Sequence, residues 1–301
     1  MADLRFALST TTNDNDYQIE QAAAARKMAQ RLGVDLDIFH ASNDAVVQSQ
    51  QILKAIQLPL DRRPHAIIVE PVGTSLPQAA KAAVSAGIAW VVLNREASYI
   101  AELRALNKAQ VFVLSSDHTE IGRIQGRQIA ALLPKGGAIL HIVGSAGDAS
   151  ANRTTGMMET KPANVQVKTL RGNWTEESAQ RAVASWLRLA TARQESIDLV
   201  AAQDDSMAMG ARRAFEKQFT GAERDKWLAL PFLGCDGLPT TGQTWVKKGL
   251  LAATVVLPAN AGQALEMLVQ AIRAGDQPRE LVFTPTSSLP TIDALRARLR
   301  K

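Results

Sequence analysis

Short apolar segments alternate with amphipathic segments from the start of the chain, and this alternation constrains the fold more than any other sequence feature. Residues 4–8, 34–39, 66–69 and 90–93 have the pattern of buried strands, and helical patterns at residues 17–32, 44–58 and 75–87 separate them. Strands and helices in alternation are typical of parallel α/β architecture. The pattern therefore predicts parallel sheets flanked by helices.

The same alternation repeats after residue 116, with a helix at residues 119–133 and a strand at residues 138–143. A single core seldom serves more than about 250–300 residues, and this chain has 301. We therefore predict two Rossmann-like lobes, residues 1–116 with 258–282 and residues 117–257 with 283–301. No low-complexity linker separates them, so we expect facing lobes joined by a short hinge that the chain crosses more than once.

Polar side chains stand where several predicted strands end. They are Asn15, Asp16, Asn94, Arg95, Arg153, Asp204, Asp205 and Asp236. In open α/β sheets ligands bind outside the carboxyl ends of the strands, so two facing lobes would direct this set into one cleft. Carboxylates accept from hydroxyls, arginine donates to two oxygens, and Trp174 can cover the apolar side of a ring. The set suits a polyhydroxylated ligand, although each Asp could instead cap a helix and Trp174 could merely cover a domain edge.

Signatures of most enzyme classes are missing. The sequence contains no phosphate-binding loop, no His-Glu-x-x-His and no nucleophile elbow, and its four histidines share no metal-ligand spacing. The acidic run at residues 13–16 lacks the glycine and final acid of a calcium loop. We therefore expect no cofactor, no metal and no catalysis, with an acid–base pair of Asp204 and Asp205 as the minor alternative.

Charge and hydropathy restrict the classes of partner that this chain is expected to bind. The formal charge is +5, but the cations are dispersed, so we expect no nucleic-acid partner. No apolar run approaches the roughly 18 residues of a membrane span, and residues 1–4 do not resemble a signal peptide. A trimmed exported protein and a cytosolic protein both remain open on these grounds.

Five short motifs resemble those of type I periplasmic binding proteins of the ribose and sugar class, which share their fold with the effector domains of lactose-repressor-family regulators. The order and spacing of the motifs hold over nearly the whole chain. They are Asn15-Asp16-Tyr17-Gln18, Leu93-Asn94-Arg95, Arg153-Thr154-Thr155-Gly156, the segment from Ala202 to Ala211, and Gly234-Cys235-Asp236-Gly237.

The resemblance implies a monomeric periplasmic protein that captures a sugar or polyol between its lobes by hinge closure and delivers it to an ABC importer. The implied ligand contacts are Asn15, Tyr17, Asn94, Arg95, Arg153, Trp174, Asp204 and Asp236, and Asp205 is implied to cap its helix. A sensor-coupled sugar receptor is an alternative. So is a cytoplasmic regulator's effector domain, although Met1-Ala2-Asp3 leaves no room for a DNA-binding head.

Several positions depart from the family pattern. Asp204 replaces the usual Asn, Asn94 replaces the usual Asp, and Gln18 replaces an aromatic residue, while Val256-Leu257-Pro258 stands where sugar binders often carry a Gln. A site built around particular hydroxyls discriminates strongly, because its polar groups otherwise go unpaired. We therefore expect a modified sugar or another polyol rather than the family's standard pentose, and an amine on that ligand would suit Asp204.

Overall fold

A computed structural model describes residues 4–74, 76–189 and 196–298 of the chain, which forms two compact units. Unit 1 contains the residues up to Ser116 together with Ala259–Thr284, and unit 2 contains Asp117–Pro258 together with the residues from Pro285 onward. The chain thus passes between the units after residues 116, 258 and 284. The sequence-based boundaries were after residues 116, 257 and 282, so the later two crossings lie slightly further along the chain.

Unit 1 contains one sheet of six parallel strands in the order β11-β5-β4-β3-β1-β2. With labels in chain order, its elements are β1 (Arg5–Thr10), α1 (Asp16–Leu32), β2 (Asp35–His40), α2 (Ala45–Ile56), β3 (Ala66–Val69), α3 (Pro77–Ser85), β4 (Ala89–Leu93), α4 (Ile100–Ala105), β5 (Val111–Ser116), α11 (Ala261–Ala274) and β11 (Leu281–Thr284).

Successive residues of the unit 1 strands point to opposite faces of the sheet and pack in two different cores. Phe6, Ile68 and Val91 pack with α1 and α11 on one face, whereas Ile67 and Trp90 pack with the helices of the other face. A parallel sheet needs this cover on both faces, which explains why its central strands are apolar at every position. Burial of β1, β3 and β4 fixes their register and aligns their carboxyl ends along one edge.

Unit 2 contains a second six-stranded sheet, in the order β12-β10-β9-β8-β6-β7. Its elements are α5 (His118–Leu132), β6 (Gly137–Val143), α6 (Asp148–Thr160), β7 (Val165–Arg171), α7 (Glu176–Leu187), β8 (Leu199–Ala202), α8 (Asp205–Gln218), α9 (Gly221–Leu228), β9 (Phe232–Asp236), α10 (Gly242–Lys247), β10 (Ala253–Val256), β12 (Ser287–Leu289) and α12 (Ile292–Arg298).

The pairing in unit 2 is parallel except at one edge, where β12 runs antiparallel to β10. Its two cores again divide alternate strand residues. Leu140, Val200 and Phe232 pack with α7 and α8, whereas Ile139 and Leu199 pack on the opposite face. The predicted α/β class with two parallel-sheet lobes flanked by helices is confirmed, with β12 as the antiparallel exception.

Most of the predicted elements are present, and the misses are short. The helix predicted at residues 17–32 is α1, and Gly33 ends it with a left-handed φ of 66°, the conformation in which glycine is favoured. Helices α9 and α10 and strand β12 were not predicted from the sequence. Ser75, where the helical pattern predicted at residues 75–87 begins, lies outside the described residues. Within the described ranges, no helix is long and apolar enough to cross a membrane.

Candidate ligand-binding site

The loop after β1 places Asn15 and Tyr17 at the carboxyl edge of the unit 1 sheet. Asn15 caps α1, and its Oδ1 accepts from the backbone N–H groups of Tyr17 at 2.9 Å and Gln18 at 3.3 Å. Asp16 is the first residue of the helix, where a carboxylate interacts favourably with the helix dipole. The structure therefore gives Asn15 and Asp16 local roles at the helix start, and ligand contact by these residues remains a prediction.

Asn94 follows β4 and is fixed by two hydrogen bonds. Its backbone is left-handed, with φ of 55°, a conformation that asparagine tolerates better than most residues. The side-chain Nδ2 donates to Glu70 Oε2 at 3.1 Å, and the side-chain Oδ1 accepts from Asn260 Nδ2 at 2.8 Å. Arg95 donates from Nη1 to the backbone oxygen of Gly73 at 2.7 Å. These contacts hold Asn94 in one orientation at the strand end.

A chain of side-chain amides extends from Asn94 into the helices of unit 1. Asn260 accepts at Oδ1 from Gln21 Nε2 at 2.8 Å, and Gln21 Oε1 accepts from the N–H of Ala261 at 2.8 Å. The chain therefore links the end of β4 to α1 and to the start of α11. Because Gln21 and Asn260 are far apart in sequence, their pairing gave no sequence signal.

Glu70 is a polar strand-end residue that was not predicted from the sequence. It directly follows β3, as Asn94 directly follows β4, so the same strand-end rule could have found it. Loss of solvation raises the pKa of its carboxyl, and hydrogen bonds from Gln18 and Asn94 and the charge of Arg95 oppose that rise. Glu70 thus adds a partly buried carboxylate to the unit 1 set.

Arg153 occupies the centre of the unit 2 set. Its Nη1 donates to the backbone oxygen of Gln203, and its Nε donates to His118 Nδ1 at 3.4 Å. Nη1 also lies 3.9 Å from Asp236 Oδ1, and both side chains of this pair are largely buried. The guanidinium is therefore held at the carboxyl ends of β8 and β9, with a charged partner beside it.

Trp174 stacks beside this guanidinium. The Arg153 Cζ lies 5.4 Å from the centroid of the Trp174 ring, and Trp174 Nε1 donates to Ser145 Oγ at 2.8 Å. A Cβ on Gly144 would lie 2.1 Å from the indole, so only glycine allows the ring to approach this loop. Trp174 lies in the loop between β7 and α7, and its ring is positioned by the Ser145 hydrogen bond and by Arg153.

Helix α6 carries Arg153, and glycines bring this helix close to α5. A Cβ on Gly156 would lie 1.9 Å from the backbone oxygen of Thr119, and a Cβ on Gly122 would lie 2.0 Å from the backbone oxygen of Arg153. The glycine of the Arg-x-x-Gly motif is therefore required by the close packing of α6 against α5. Gly156 lets the two helix backbones touch, which places Arg153 beside His118.

Gln203 connects the strand ends of unit 2. Its Oε1 accepts from the N–H of Gly144 at 3.0 Å, and its Nε2 donates to Ser150 O and Thr154 Oγ1, both at 2.9 Å. These bonds join the end of β8 to the loop after β6 and to α6. Gln203 therefore supports the backbone that receives Arg153, a role the sequence analysis did not assign.

The roles expected for Asp204 and Asp205 need a correction. Asp204, not Asp205, caps α8, and its Oδ1 accepts from the N–H of Met207 at 2.5 Å. Asp205 instead accepts from the N–H of Gly237 at 2.7 Å and from Thr254 Oγ1 at 2.7 Å. The N-cap residue has extended backbone and directs its side chain back over the first turn. One residue later the side chain points to neighbouring strands, so the prediction that Asp205 caps the helix was wrong.

The Asp205 carboxyl fills a space made by small residues. A Cβ on Gly234 would lie 2.1 Å from Asp205 Oδ1, and a Cβ on Gly242 would lie 2.0 Å from Oδ2. Burial raises the pKa of Asp205 to about 8, against the opposing effect of its hydrogen bonds from Thr254 and Gly237. This carboxyl links α8 to β10 and to the loop after β9, so its role is structural, as expected. Asp204 as a ligand contact remains a prediction.

Each unit thus gathers a polar set at the carboxyl ends of its parallel strands. The unit 1 set contains Asn15, Asp16, Tyr17, Glu70, Asn94 and Arg95, and the unit 2 set contains Arg153, Trp174, Asp204 and Asp236. No cluster of three or more potential metal ligands was found in the part of the chain that the structure describes. Polar sets at strand ends are typical of α/β proteins that bind small molecules.

Comparison with known proteins gives the family. The chain belongs to the family described as "Periplasmic binding protein domain", whose sequence profile matches residues 6–277. It is 32% identical over 191 residues to a putative rhizopine-binding protein of Rhizobium meliloti, an alignment that covers 61% of this chain and 58% of that protein. It is 27% identical over 265 residues to the ribose import binding protein RbsB of Salmonella typhimurium, covering 87% of this chain and 82% of that protein.

A solved structure shares the fold over almost the whole chain. It is an ABC transporter periplasmic solute-binding protein from Actinobacillus succinogenes with bound D-allose, with a TM-score of 0.81 and 21% sequence identity. The match covers 98% of this chain and 100% of that chain. The resemblance to type I sugar-binding proteins inferred from the motifs is therefore confirmed at the level of family and fold.

Proposed function

We propose that this protein binds a sugar or sugar-like polyol with the polar sets of both units and delivers it to an ABC importer. The observation that carries the proposal is the pairing of Arg153 with Trp174 in unit 2, with Asp236 beside the guanidinium. An arginine fork, a carboxylate and an indole face are the groups that recognise ring hydroxyls and the apolar side of a sugar ring.

The amide and carboxylate groups of unit 1 supply the complementary chemistry. Asn94 is oriented by Glu70 and Asn260, so its side chain is preorganised. Preorganised polar groups lose little entropy on binding and discriminate strongly against ligands that leave them unpaired. Both sets acting on one ligand molecule, with hinge closure as the accompanying motion, is part of the proposal.

The relatives support a binding role rather than catalysis, since those named above are binding proteins, and the RbsB relative is named for ribose import. We propose that this protein is likewise a monomeric periplasmic receptor and that a membrane importer is its partner. Uptake of the labelled ligand by cells of the source organism tests that partner. Uptake should fall when the gene is deleted and return when it is restored.

Thermal unfolding and calorimetric titration against a panel of pentoses, hexoses and inositols test whether the protein binds a sugar or polyol. A ligand that binds only the folded state stabilises it by about 2.7 kcal/mol at a hundredfold excess over Kd. We expect at least one panel member to raise the unfolding temperature and to titrate with saturation. A folded protein that responds to no member contradicts the proposed function.

A further inference from the structure

Glu70 stands at the centre of the unit 1 set, yet its chemistry differs from that of its neighbours. It is the residue directly after β3, between the ends of β1 and β4 in the sheet order. Its backbone is fixed by Gln48, which donates from Nε2 to Glu70 O at 2.9 Å and accepts at Oε1 from the N–H of Val72 at 2.7 Å. The position of Glu70 is therefore as well defined as that of Asn94.

The side chain of Glu70 is surrounded by neutral donors. Asn94 Nδ2 donates to Glu70 Oε2 at 3.1 Å, and the amides of Gln18 and Gln21 also stabilise the carboxylate. Among the described residues, no ion pair includes Glu70. The positive charge of Arg95 lowers the pKa of Glu70, but the Arg95 guanidinium does not donate to it. Its Nη1 donates to the backbone oxygen of Gly73.

The hydrogen-bond donors to this partly desolvated carboxylate are neutral amides, and the charge of Arg95 acts on it without forming an ion pair. Amides orient such a group, but a cation balances its charge and forms a shorter, stronger hydrogen bond. An ammonium group offers three donors and a full positive charge, whereas a ligand hydroxyl offers one neutral donor. A cationic group on the ligand would therefore interact more favourably with Glu70 than a neutral hydroxyl would.

We propose that the ligand is a polyol carrying a protonated amino group, and that Glu70 receives this ammonium. This inference rests on the proposed function, because it assigns the ligand class of the same site. It also relocates the amine from Asp204, where the sequence suggested it, to unit 1, because an Asp204 oxygen caps α8. Glu70 is then the residue that selects an amino polyol over its hydroxyl counterpart.

The test compares matched ligand pairs that differ only at one substituent. Glucose with glucosamine, galactose with galactosamine, and inositol with an aminodeoxyinositol are titrated calorimetrically into the wild type, Glu70→Gln and Glu96→Gln. Glu96 is an exposed glutamate in the same unit, so its variant carries the same chemical change outside the network. Gln at position 70 retains an oxygen that can accept from Asn94.

For at least one pair, we expect the wild type and Glu96→Gln to bind the amino member at least tenfold more tightly than the hydroxyl member. In Glu70→Gln that preference should fall to within about threefold. N-acetylation of the preferred ligand, which removes its charge, should abolish the preference in the wild type. This last readout needs no variant, so it tests the preference for a charged amine even if Glu70→Gln folds poorly.

Several results contradict the inference in distinguishable ways. Tight binding of neutral members only contradicts the amino-polyol assignment, and an amino preference that survives in Glu70→Gln contradicts the role of Glu70. Both results leave the proposed sugar-binding function intact. Binding of no member of any pair, when a pentose of the wider panel does bind, contradicts the amino-polyol assignment alone. A folded protein that binds neither a member of any pair nor any member of the panel contradicts both.

Discussion

The guanidinium of Arg153 lies over the ring of Trp174, with 5.4 Å between Cζ and the ring centroid. Trp174 has a left-handed backbone, with φ of 60°, and its ring is fixed by the hydrogen bond to Ser145. A bulky residue rarely adopts this conformation unless its surroundings require it. The strain at Trp174 therefore supports a role for the ring beyond covering a domain edge.

The indole should report ligand binding. Trp174→Phe keeps an aromatic face but loses the donor to Ser145, so we expect weaker binding by about 1 kcal/mol. In the wild type, ligand addition should change the tryptophan emission, and this change should vanish in Trp174→Phe. Trp227→Phe is the matched control, because Trp227 packs in the unit 2 core against Phe215 and Phe219. A signal that disappears in the Trp227 variant and survives in the Trp174 variant refutes the placement of the ligand at Trp174.

The different contacts of Asp204 and Asp205 predict different losses of stability. Asp204→Ala removes one helix cap and should lower the free energy of unfolding by about 1 kcal/mol. Asp205→Ala leaves the N–H of Gly237 and the hydroxyl of Thr254 without their acceptor, and each such group costs about 1–3 kcal/mol. Urea unfolding measures both, with the exposed Asp225→Ala as a control. A smaller loss for Asp205→Ala than for Asp204→Ala speaks against the assignment.

The contact between α5 and α6 predicts that Gly156 tolerates no side chain. In Gly156→Ala the new methyl meets the backbone oxygen of Thr119, so the helices must separate, at a cost of about 1–3 kcal/mol in unfolding free energy. Since α6 carries Arg153, ligand affinity should fall as well. Thr155→Ala, at the exposed neighbouring position, should change neither property by a comparable amount. Unaltered stability and affinity in Gly156→Ala would show that this contact does not position Arg153.

His141 predicts a loss of stability in acid. It is fully buried in β6, and neither ring nitrogen has a hydrogen-bond partner among the described residues. Burial lowers its pKa from 6.5 to about 4. Between these two values the unfolded chain binds a proton that the folded protein does not, so stability falls as the pH drops from 6.5 towards 4.

The size of this effect is about 2 kcal/mol at pH 5 relative to pH 8, from one group with these two pKa values. His141→Leu removes the titrating ring and should lose correspondingly less stability over the same interval, measured by urea unfolding at both pH values. The exposed His65→Gln should behave like the wild type. An acid-induced loss of equal size in His141→Leu would assign the pH dependence to other groups.

Sequence reasoning located much of both polar sets, because the carboxyl ends of apolar strands are visible in the pattern. Asn94 and Asp236 were found in this way, and Glu70 satisfied the same rule but was overlooked. Arg153 was also predicted at a strand end, but it lies within α6, and its guanidinium reaches the strand ends from there. Asp204 and Asp205 could not be told apart, since a shift of one residue at a helix start redirects a side chain by roughly 100°.

Other features depended on contacts between distant segments. Asn260 enters the unit 1 network from a segment 239 residues beyond its partner Gln21, and no local pattern encodes that pairing. The short elements α9, α10 and β12 carry too few apolar residues to show a period. Their positions follow from packing against neighbours rather than from intrinsic preference.

Calorimetric titration of single variants from each unit tests whether both polar sets act on one ligand molecule, as we propose. With the best ligand of the panel, the wild type should bind one molecule per chain. Asn94→Ala in unit 1 and Arg153→Ala or Asp236→Ala in unit 2 should each weaken binding by roughly 1–3 kcal/mol, because each leaves a ligand group unpaired. Arg181→Ala, at an exposed position of unit 2, should bind as the wild type does. Wild-type affinity in the variants of either unit, or two independent sites per chain, would contradict the account.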